Sequence, residues 1–249
     1  NPFVGCAIVY YPEDPLTISK PPGTWSGVFL DLDGTLADTV ELILKCFRFA
    51  TKKHFGQPLP DADVVATLGI PLPVQMRSFA RSEEEAELMR QTYIAYQDIV
   101  HDEMVRSFPG ASSVLGALRR RGTKIAVVTS KRTGIAKRTL ECCGLWKAVD
   151  LVVCANQVQR PKPHPESVNL ALSKLGLEPD GVVFVGDSPF DIQAGKGAGT
   201  RTAAALWGPF NPEELLAEGP DFALDALRDV LEINPEEVVG RTLHDPIGL

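Results

Sequence analysis

The sequence contains no apolar run that could cross a membrane. No stretch approaches the roughly eighteen consecutive apolar residues that a transmembrane helix requires. The opening residues, "NPFVGCAIVYYPEDP", also lack the cationic start and the long apolar core of an export signal. These absences predict a soluble chain that does not enter the membrane and stays in the cytoplasm.

Cysteine is scarce. The 249 residues include five cysteines, an odd number, and no two of them form a C-x-x-C pair. This usage is typical of reduced thiols in a cytoplasm, where cysteine mostly packs as a small buried hydrophobe. We therefore expect all five to be packing residues: Cys6, Cys46, Cys142, Cys143 and Cys154.

Basic residues are too few to balance the acidic ones. Lys and Arg number 25 against 32 Asp and Glu, which gives a formal net charge of −7. A chain of this charge has no general attraction for nucleic acid or for an anionic membrane surface. We expect neither as a partner; the expected ligand is a small molecule, bound by a monomer or a homodimer.

A regular alternation of strand and helix patterns is present once residues 38–108 are set aside. The 44% hydrophobic content supports a substantial core. Runs rich in Val, Ile, Leu and Ala predict strands at 27–33, 123–130, 149–156, 181–187 and 200–207. Helical patterns that end at a glycine lie between them, at 111–121, 132–142, 164–175 and 189–198. This rhythm predicts an α/β fold, a parallel Rossmann-like sheet with helices on both faces.

The segment set aside, residues 38–108, carries helical patterns without a strand signal. Asp38 and Glu41 are spaced as a capping box, and a second long helix is predicted in "SEEEAELMRQTYIAYQDIVHDEM". We expect an all-helical module, called the cap below, inserted after the first strand and able to hinge as a lid. The expected organisation is an extension at 1–26, a core at 27–37 and 109–233, the cap at 38–108 and a tail at 234–249.

Polar residues follow the predicted strands. In "VFLDLDGTLADT", Asp31 and Asp33 share one face of the chain, where two carboxylates repel unless a cation lies between them. The other strand ends carry Thr129 with Ser130, Lys162 between two prolines, and Asp187 with Asp191 beyond it. Ligands of open parallel sheets bind at the carboxyl ends of the strands, so we expect these groups to form one site.

These residue types fit phosphoryl transfer to a carboxylate. Asp31 is the expected nucleophile and a ligand of Mg²⁺, with Asp187 and the backbone carbonyl of Asp33 as further ligands. The Asp33 side chain is expected to protonate the leaving oxygen and then to take a proton from the attacking water.

The remaining polar groups are expected to hold the phosphate. Thr129 and backbone amides near Gly34 and Ser130 would bind the phosphoryl oxygens, and Lys162 would offset their charge. Read separately, the same residues have simpler interpretations: solvated acids at a strand end, a surface lysine, and Asp191 as a cap of the helix from 189.

Four segments carry a resemblance to a known family. "DLDGT", "VVTS", "RPKPHPE" and "VGDSPFD" resemble, in order, the four motifs of the haloacid dehalogenase superfamily, and the helical insertion resembles its C1 cap. The resemblance covers residues 27–233. It implies a phosphatase that uses Mg²⁺ and an aspartyl-phosphate intermediate, with Asp191 supporting the site. Asp33 favours phosphate chemistry, since the dehalogenases and phosphonatases of this architecture lack an acid there.

Within the family, the sequence is most similar to phosphoglycolate phosphatases and PpaX-type pyrophosphatases. The expected function is hydrolysis of a small phosphorylated metabolite, phosphoglycolate-like or a sugar phosphate. Alternatives are an inorganic pyrophosphatase, a nucleotidase or a phosphomutase, although "TLGIPLPVQM" lacks the arginine that mutases carry after a cap glycine. A phospho-aspartate switch like a receiver domain is a further alternative.

Specificity in capped members comes from the cap. The cap residues that could contact a leaving group are Lys45, Arg48, Lys52, Gln75, Arg77 and Arg81. Four further residues are expected to form the cap core or to line its inner surface: Met76, Met89, Tyr93 and Tyr96.

Overall fold

The computed structural model describes residues 23–236. The expected extension and tail therefore lie mostly outside the described residues, as does Cys6. Between residues 23 and 236, no helix has both the length and the apolar character needed to cross a bilayer.

The core is a parallel sheet. In the described part of the chain its strands are β1 (Gly27–Leu30), β4 (Lys124–Thr129), β5 (Leu151–Cys154), β6 (Val182–Gly186), β7 (Arg201–Ala205) and β8 (Phe222–Leu224). They lie in the order β5-β4-β1-β6-β7-β8, and every neighbouring pair is parallel. The predicted parallel α/β fold is confirmed. The sequence prediction missed β8, because three residues are too few to show a strand pattern.

Helices cover both faces of the sheet. They are α5 (Ala111–Arg120), α6 (Thr133–Cys142), α7 (Glu166–Leu175), α8 (Pro189–Gly197) and α9 (Pro212–Ala217). Val28 and Leu30 pack into the cluster that includes residues of α5 and α6, whereas Phe29 packs into the cluster that includes residues of α7 and α8. Alternate residues of β1 thus enter opposite layers, which explains why the strand is apolar throughout.

The cap contains α1 (Val40–Phe55), α2 (Asp61–Val65), α3 (Leu72–Phe79) and α4 (Glu83–Met104). Phe47 of α1 meets Tyr93 of α4 with ring centroids 5.2 Å apart, and Met76 and Met89 are fully buried beside them. The aromatic and methionine side chains therefore form the core that holds α1 against α4.

A short antiparallel ribbon joins the cap to the core. It consists of β2 (Ala37–Asp38) and β3 (Arg106–Ser107), which pair with each other. The expectation of a segment without strands was wrong here, because two-residue strands show no alternation. The expected capping box was also wrong: Asp38 lies in β2, and helix α1 begins at Val40.

Two groups of residues depart from their expected surroundings. Trp25, assigned to the extension, is buried and donates from Nε1 to the Ile233 carbonyl at 3.1 Å. Cys46 and Cys154 are buried as expected, but Cys142 is exposed at the end of α6 and lies 3.3 Å from Asp102 Oδ1. The expectation that every cysteine packs as a buried hydrophobe was wrong for Cys142.

Candidate active site

Three neighbouring strands bring polar side chains to one edge of the sheet. Asp31 follows β1, Thr129 ends β4 and Asp187 follows β6, and β1 lies between the other two. Each residue is only 3–4% exposed. The parallel topology therefore gathers, in one buried place, residues that lie far apart in the sequence.

Lys162 reaches this place from the loop after β5. Its Nζ lies 2.9 Å from Asp31 Oδ1 and 2.5 Å from Asp191 Oδ1, and it donates to the Val128 carbonyl at 3.2 Å. Burial would lower the pKa of Lys162, but Asp191 and Asp31 raise it above its ordinary value. The ammonium therefore keeps its charge between two carboxylates.

Asp191 holds Lys162 and also caps a helix. Its Oδ2 accepts hydrogen bonds from the Ser188 amide at 3.1 Å and from the Ser188 hydroxyl at 2.5 Å, at the start of α8. Its other oxygen faces Lys162. Capping and ion pairing are thus two roles of one side chain, because its two oxygens point to different partners.

Asp187 is fixed by groups that the sequence analysis did not select. Thr35 Oγ1 donates to Asp187 Oδ1 at 2.5 Å, and Trp207 Nε1 donates to the Thr35 carbonyl at 3.1 Å. Gly34 has a φ of +77°, and a Cβ there would lie 2.3 Å from Asp187 Oδ2. The amide of Gly34 donates a hydrogen bond to the Ala37 carbonyl at 2.9 Å, so it is already paired within the turn. Gly34 serves the site by allowing this close approach.

Asp33 is less buried than Asp31 and has its own partners. Its Oδ1 accepts a hydrogen bond from the Thr39 hydroxyl and lies 2.8 Å from Lys131 Nζ. The Asp33 side chain is 23% exposed, against 5% for Asp31. Sequence reasoning missed Lys131, although it directly follows "VVTS". The two acids therefore have different surroundings, as two different chemical roles require.

Ser130 connects the sheet edge to the cap. Its hydroxyl donates to the Gly69 carbonyl at 2.5 Å, whereas Thr129 Oγ1 accepts from the Lys131 amide at 3.2 Å. Gly69 has a φ of +94°, and a Cβ there would lie 2.7 Å from Ser188 Oγ. The cap loop thus rests directly on the strand ends, with the cap closed over the site.

Three buried carboxyl groups lie around the single ammonium of Lys162. Asp31, Asp187 and Asp191 each place a carboxylate oxygen within 4.8 Å of the others. Burial raises the pKa of Asp31 to about 7 although Lys162 lowers it, and burial together with Asp31 raises the pKa of Asp187. In the described part of the chain, the Lys162 ammonium at 2.9 Å is the partner of Asp31 Oδ1. These oxygens fit a hard divalent cation such as Mg²⁺.

A cavity of about 850 Å³ lies between the sheet edge and the cap. The core residues that line it include Asp31, Asp33, Thr129, Ser130 and Asp187. A volume of this size is in the range that holds an organic small molecule. Three site residues selected from the sequence do not line this cavity. Gly34 and Lys162 lie against Asp187 and Asp31 of the lining, and Asp191 is connected to it through Lys162.

The cap lines this cavity with residues other than the cations selected from the sequence. Gln75 does line it, and its amide donates to the Thr67 carbonyl at 2.6 Å. The selected cations are absent from the lining in the described structure, and three of them pair with acids of the cap: Arg48, Arg77 and Arg81. The lining instead includes Arg90, Tyr93 and Gln97 of α4.

Comparison with known proteins gives relatives over most of the chain. The model of the family described as haloacid dehalogenase-like hydrolase matches residues 28–205. The pyrophosphatase PpaX of Listeria innocua is 35% identical over 221 residues, which are 86% of this chain and 99% of that protein. The pyrophosphatase PpaX of Bacillus velezensis is 34% identical over 208 residues, covering 84% of this chain and 95% of its own length.

A solved structure shares the fold. The crystal structure of a predicted phosphoglycolate phosphatase from Haemophilus somnus superposes with a TM-score of 0.77 at 24% identity, covering 84% of this chain and 97% of the other. The family model spans well over half of the sequence. The chain belongs to the haloacid dehalogenase-like hydrolases.

Proposed function

We propose that this protein is a Mg²⁺-dependent phosphatase that hydrolyses a small phosphorylated metabolite through an aspartyl phosphate on Asp31. The observation that carries the proposal is the buried Asp31 carboxylate at the edge of the cavity, whose Oδ1 meets the Lys162 ammonium at 2.9 Å. A carboxylate that a neighbouring cation holds in place beside the cavity is suited to attack phosphorus.

The reaction has two displacements at phosphorus. In the first, an Asp31 oxygen bonds to phosphorus, the ester P–O bond breaks, and Asp33 gives its proton to the leaving oxygen. In the second, water attacks phosphorus, Asp33 takes a proton from that water, and the bond to Asp31 breaks. Thr129 lines the cavity and would bind a phosphoryl oxygen, and Lys162 offsets negative charge from beside Asp31.

The metal would be held by Asp31, Asp187 and the backbone carbonyl of Asp33. When bound, Mg²⁺ would neutralise charge on the phosphoryl oxygens. Asp191, although close to the other acids, is used by Ser188 and Lys162, so its role is to position the lysine.

Activity should depend on the divalent ion. We expect chelation to abolish phosphate release, Mg²⁺ to restore it, and Ca²⁺ to inhibit it, because the looser coordination of Ca²⁺ misplaces Asp31. Phosphate release after dialysis against EDTA, followed by readdition of each ion, measures this. Full activity in excess chelator would contradict a metal requirement.

Replacement of Asp33 should affect substrates unequally. Asp33→Asn should reduce turnover of alkyl phosphates far more than that of aryl phosphates, because an aryl leaving group needs little protonation. The measurement is kcat/KM across esters of graded leaving-group pKa. Lys131→Met is a useful companion, since it removes the ammonium beside Asp33 and keeps the acid. An equal loss for all esters with Asp33→Asn would exclude the acid role.

Inorganic pyrophosphate is a second candidate substrate. It is supported by the names of the Listeria innocua and Bacillus velezensis relatives, both pyrophosphatases. The same site residues would act, with phosphate as the leaving group. Comparison of phosphate release from pyrophosphate, phosphoglycolate and sugar phosphates tests the proposed function and ranks these substrates; no release from any of them with Mg²⁺ would refute it.

A further inference from the structure

We propose that Tyr93 and Gln97 bind a hydroxyl or carbonyl of the leaving group, and that the substrate is a phosphate ester of a neutral organic alcohol. This inference rests on the phosphatase function proposed above and narrows its substrate class. It separates this chain from an enzyme whose leaving group is anionic, as phosphate from pyrophosphate or the carboxylate-bearing glycolate would be.

Tyr93 and Gln97 form a buried polar pair on the cavity side of α4. They lie one helical turn apart, line the cavity, and are 3% and 6% exposed. Gln97 Nε2 contacts the Tyr93 hydroxyl at 3.4 Å, a long hydrogen bond. This contact joins the two side chains to each other, and both residues line the cavity, so the Gln97 carbonyl oxygen and the Tyr93 hydroxyl proton can meet a ligand there. A polar pair on an apolar cavity wall gives a ligand one donor and one acceptor, and we assign the pair this role.

The Tyr93 hydroxyl remains a donor beside the reaction centre. Burial, and to a smaller extent Cys46 and Asp33, raise its pKa well above the ordinary value. Asp33 and Tyr93 line the same cavity, so the phenol borders the space beside the expected acid. A group bound by Tyr93 would therefore belong to the leaving group.

The cap surface around this pair is apolar. Ile43, Leu68 and Ile94 line the same cavity, and Ile43 and Leu68 are 7% and 6% exposed. Such a surface favours carbon-bearing ligands, because burying their apolar area is favourable. Pyrophosphate has no apolar part to place there.

The cations of the lining are largely neutralised. Arg90 lies 2.6 Å from Glu87, Lys131 lies 2.8 Å from Asp33, and Arg138 pairs with Asp102 at 2.8 Å and Asp98 at 3.2 Å. Among the described residues, the cation that lines the cavity and has no ion pair is Arg132, and its side chain is exposed. An anionic leaving group beside Tyr93 would have to compete with these carboxylates for a cation, which is costly.

The substrate preference of the unmodified protein tests this directly. Phosphate release with Mg²⁺ should be compared for pyrophosphate, phosphoglycolate and a series of neutral polyol and sugar monophosphates. We expect the best neutral ester to exceed both anionic compounds in kcat/KM by about tenfold or more, the effect of one well-placed group. A preference for pyrophosphate or phosphoglycolate would overturn the inference and leave the phosphatase function intact.

Near-isosteric variants test the two residues. Tyr93→Phe and Gln97→Leu should each lower kcat/KM for the best neutral ester by about tenfold. For phenyl phosphate, whose leaving group carries no additional hydroxyl, kcat/KM of each variant should change by less than about threefold. Matched controls on the same helix are Tyr96→Phe, whose ring stacks on Phe49, and Gln91→Leu, which contacts Glu87.

Two further results would decide against the inference. If Tyr93→Phe and Gln97→Leu behave like their controls on the best neutral ester, the pair does not bind the leaving group. If Arg132→Gln reduces kcat/KM for that ester as strongly as Tyr93→Phe does, the leaving group is bound by charge. Absence of phosphate release from every ester and from pyrophosphate would instead refute the proposed function, and the inference with it.

Discussion

Asp31→Asn should lose phosphatase activity by about four orders of magnitude, since an amide does not form the acyl phosphate. The fold should survive. Burial raises the pKa of Asp31, which means that the folded protein disfavours its charge, and Lys162 keeps Asp191 as a partner at 2.5 Å. We expect an unfolding temperature at or above that of the wild type.

The measurement is phosphate release alongside thermal unfolding of the same sample. Asp63→Asn is a matched control, because Asp63 is an exposed acid of the cap in helix α2. It should leave both quantities near their wild-type values. A folded Asp31→Asn protein with substantial activity would remove Asp31 from the nucleophile role.

Lys162→Met should damage both activity and stability. The ammonium is 2% exposed and lies between Asp31 and Asp191, so its removal leaves two buried carboxylates without their cation. Breaking a buried ion pair in this way costs about 3–5 kcal/mol. We expect a loss of roughly that size in the free energy of unfolding, and activity lowered by about a thousandfold.

A double variant separates the two effects. Adding Asp191→Asn to Lys162→Met removes one unpaired charge and should recover part of the stability, whereas activity should stay low because Asp31 still lacks the ammonium. Denaturant unfolding and phosphate release measure these outcomes, with the exposed Lys174→Met as control. Full activity in Lys162→Met would show that the lysine does not serve the reaction.

The sequence predicts the sheet well because its signals are local. Strands such as Val182–Gly186 are continuous apolar runs, and the parallel topology fixes that their carboxyl ends meet. From this alone Asp31, Thr129 and Asp187 are expected in one place, where the structure also puts them. Elements of two or three residues, such as β2 and β8, have no comparable local pattern.

The cap surface is less predictable because it depends on which helical faces meet. Arg48 is a reasonable candidate by charge, yet its guanidinium pairs with Glu41 and Asp61. Tyr93 and Gln97 share a helical face by their spacing, but the sequence does not say that this face borders the cavity. Likewise, only the structure indicates that Lys131 belongs to the site, because it places the Lys131 ammonium 2.8 Å from Asp33.

The central claim is that the phosphoryl group passes through Asp31. The most direct measurement mixes Asp33→Asn protein with an aryl phosphate and Mg²⁺, quenches in acid during the first turnover, reduces any acyl phosphate with borohydride, and sequences the peptides by mass spectrometry. We expect homoserine at position 31, formed in step with a burst of the leaving group. Turnover without modification of residue 31, or modification at Asp187 or Asp191 instead, would contradict it.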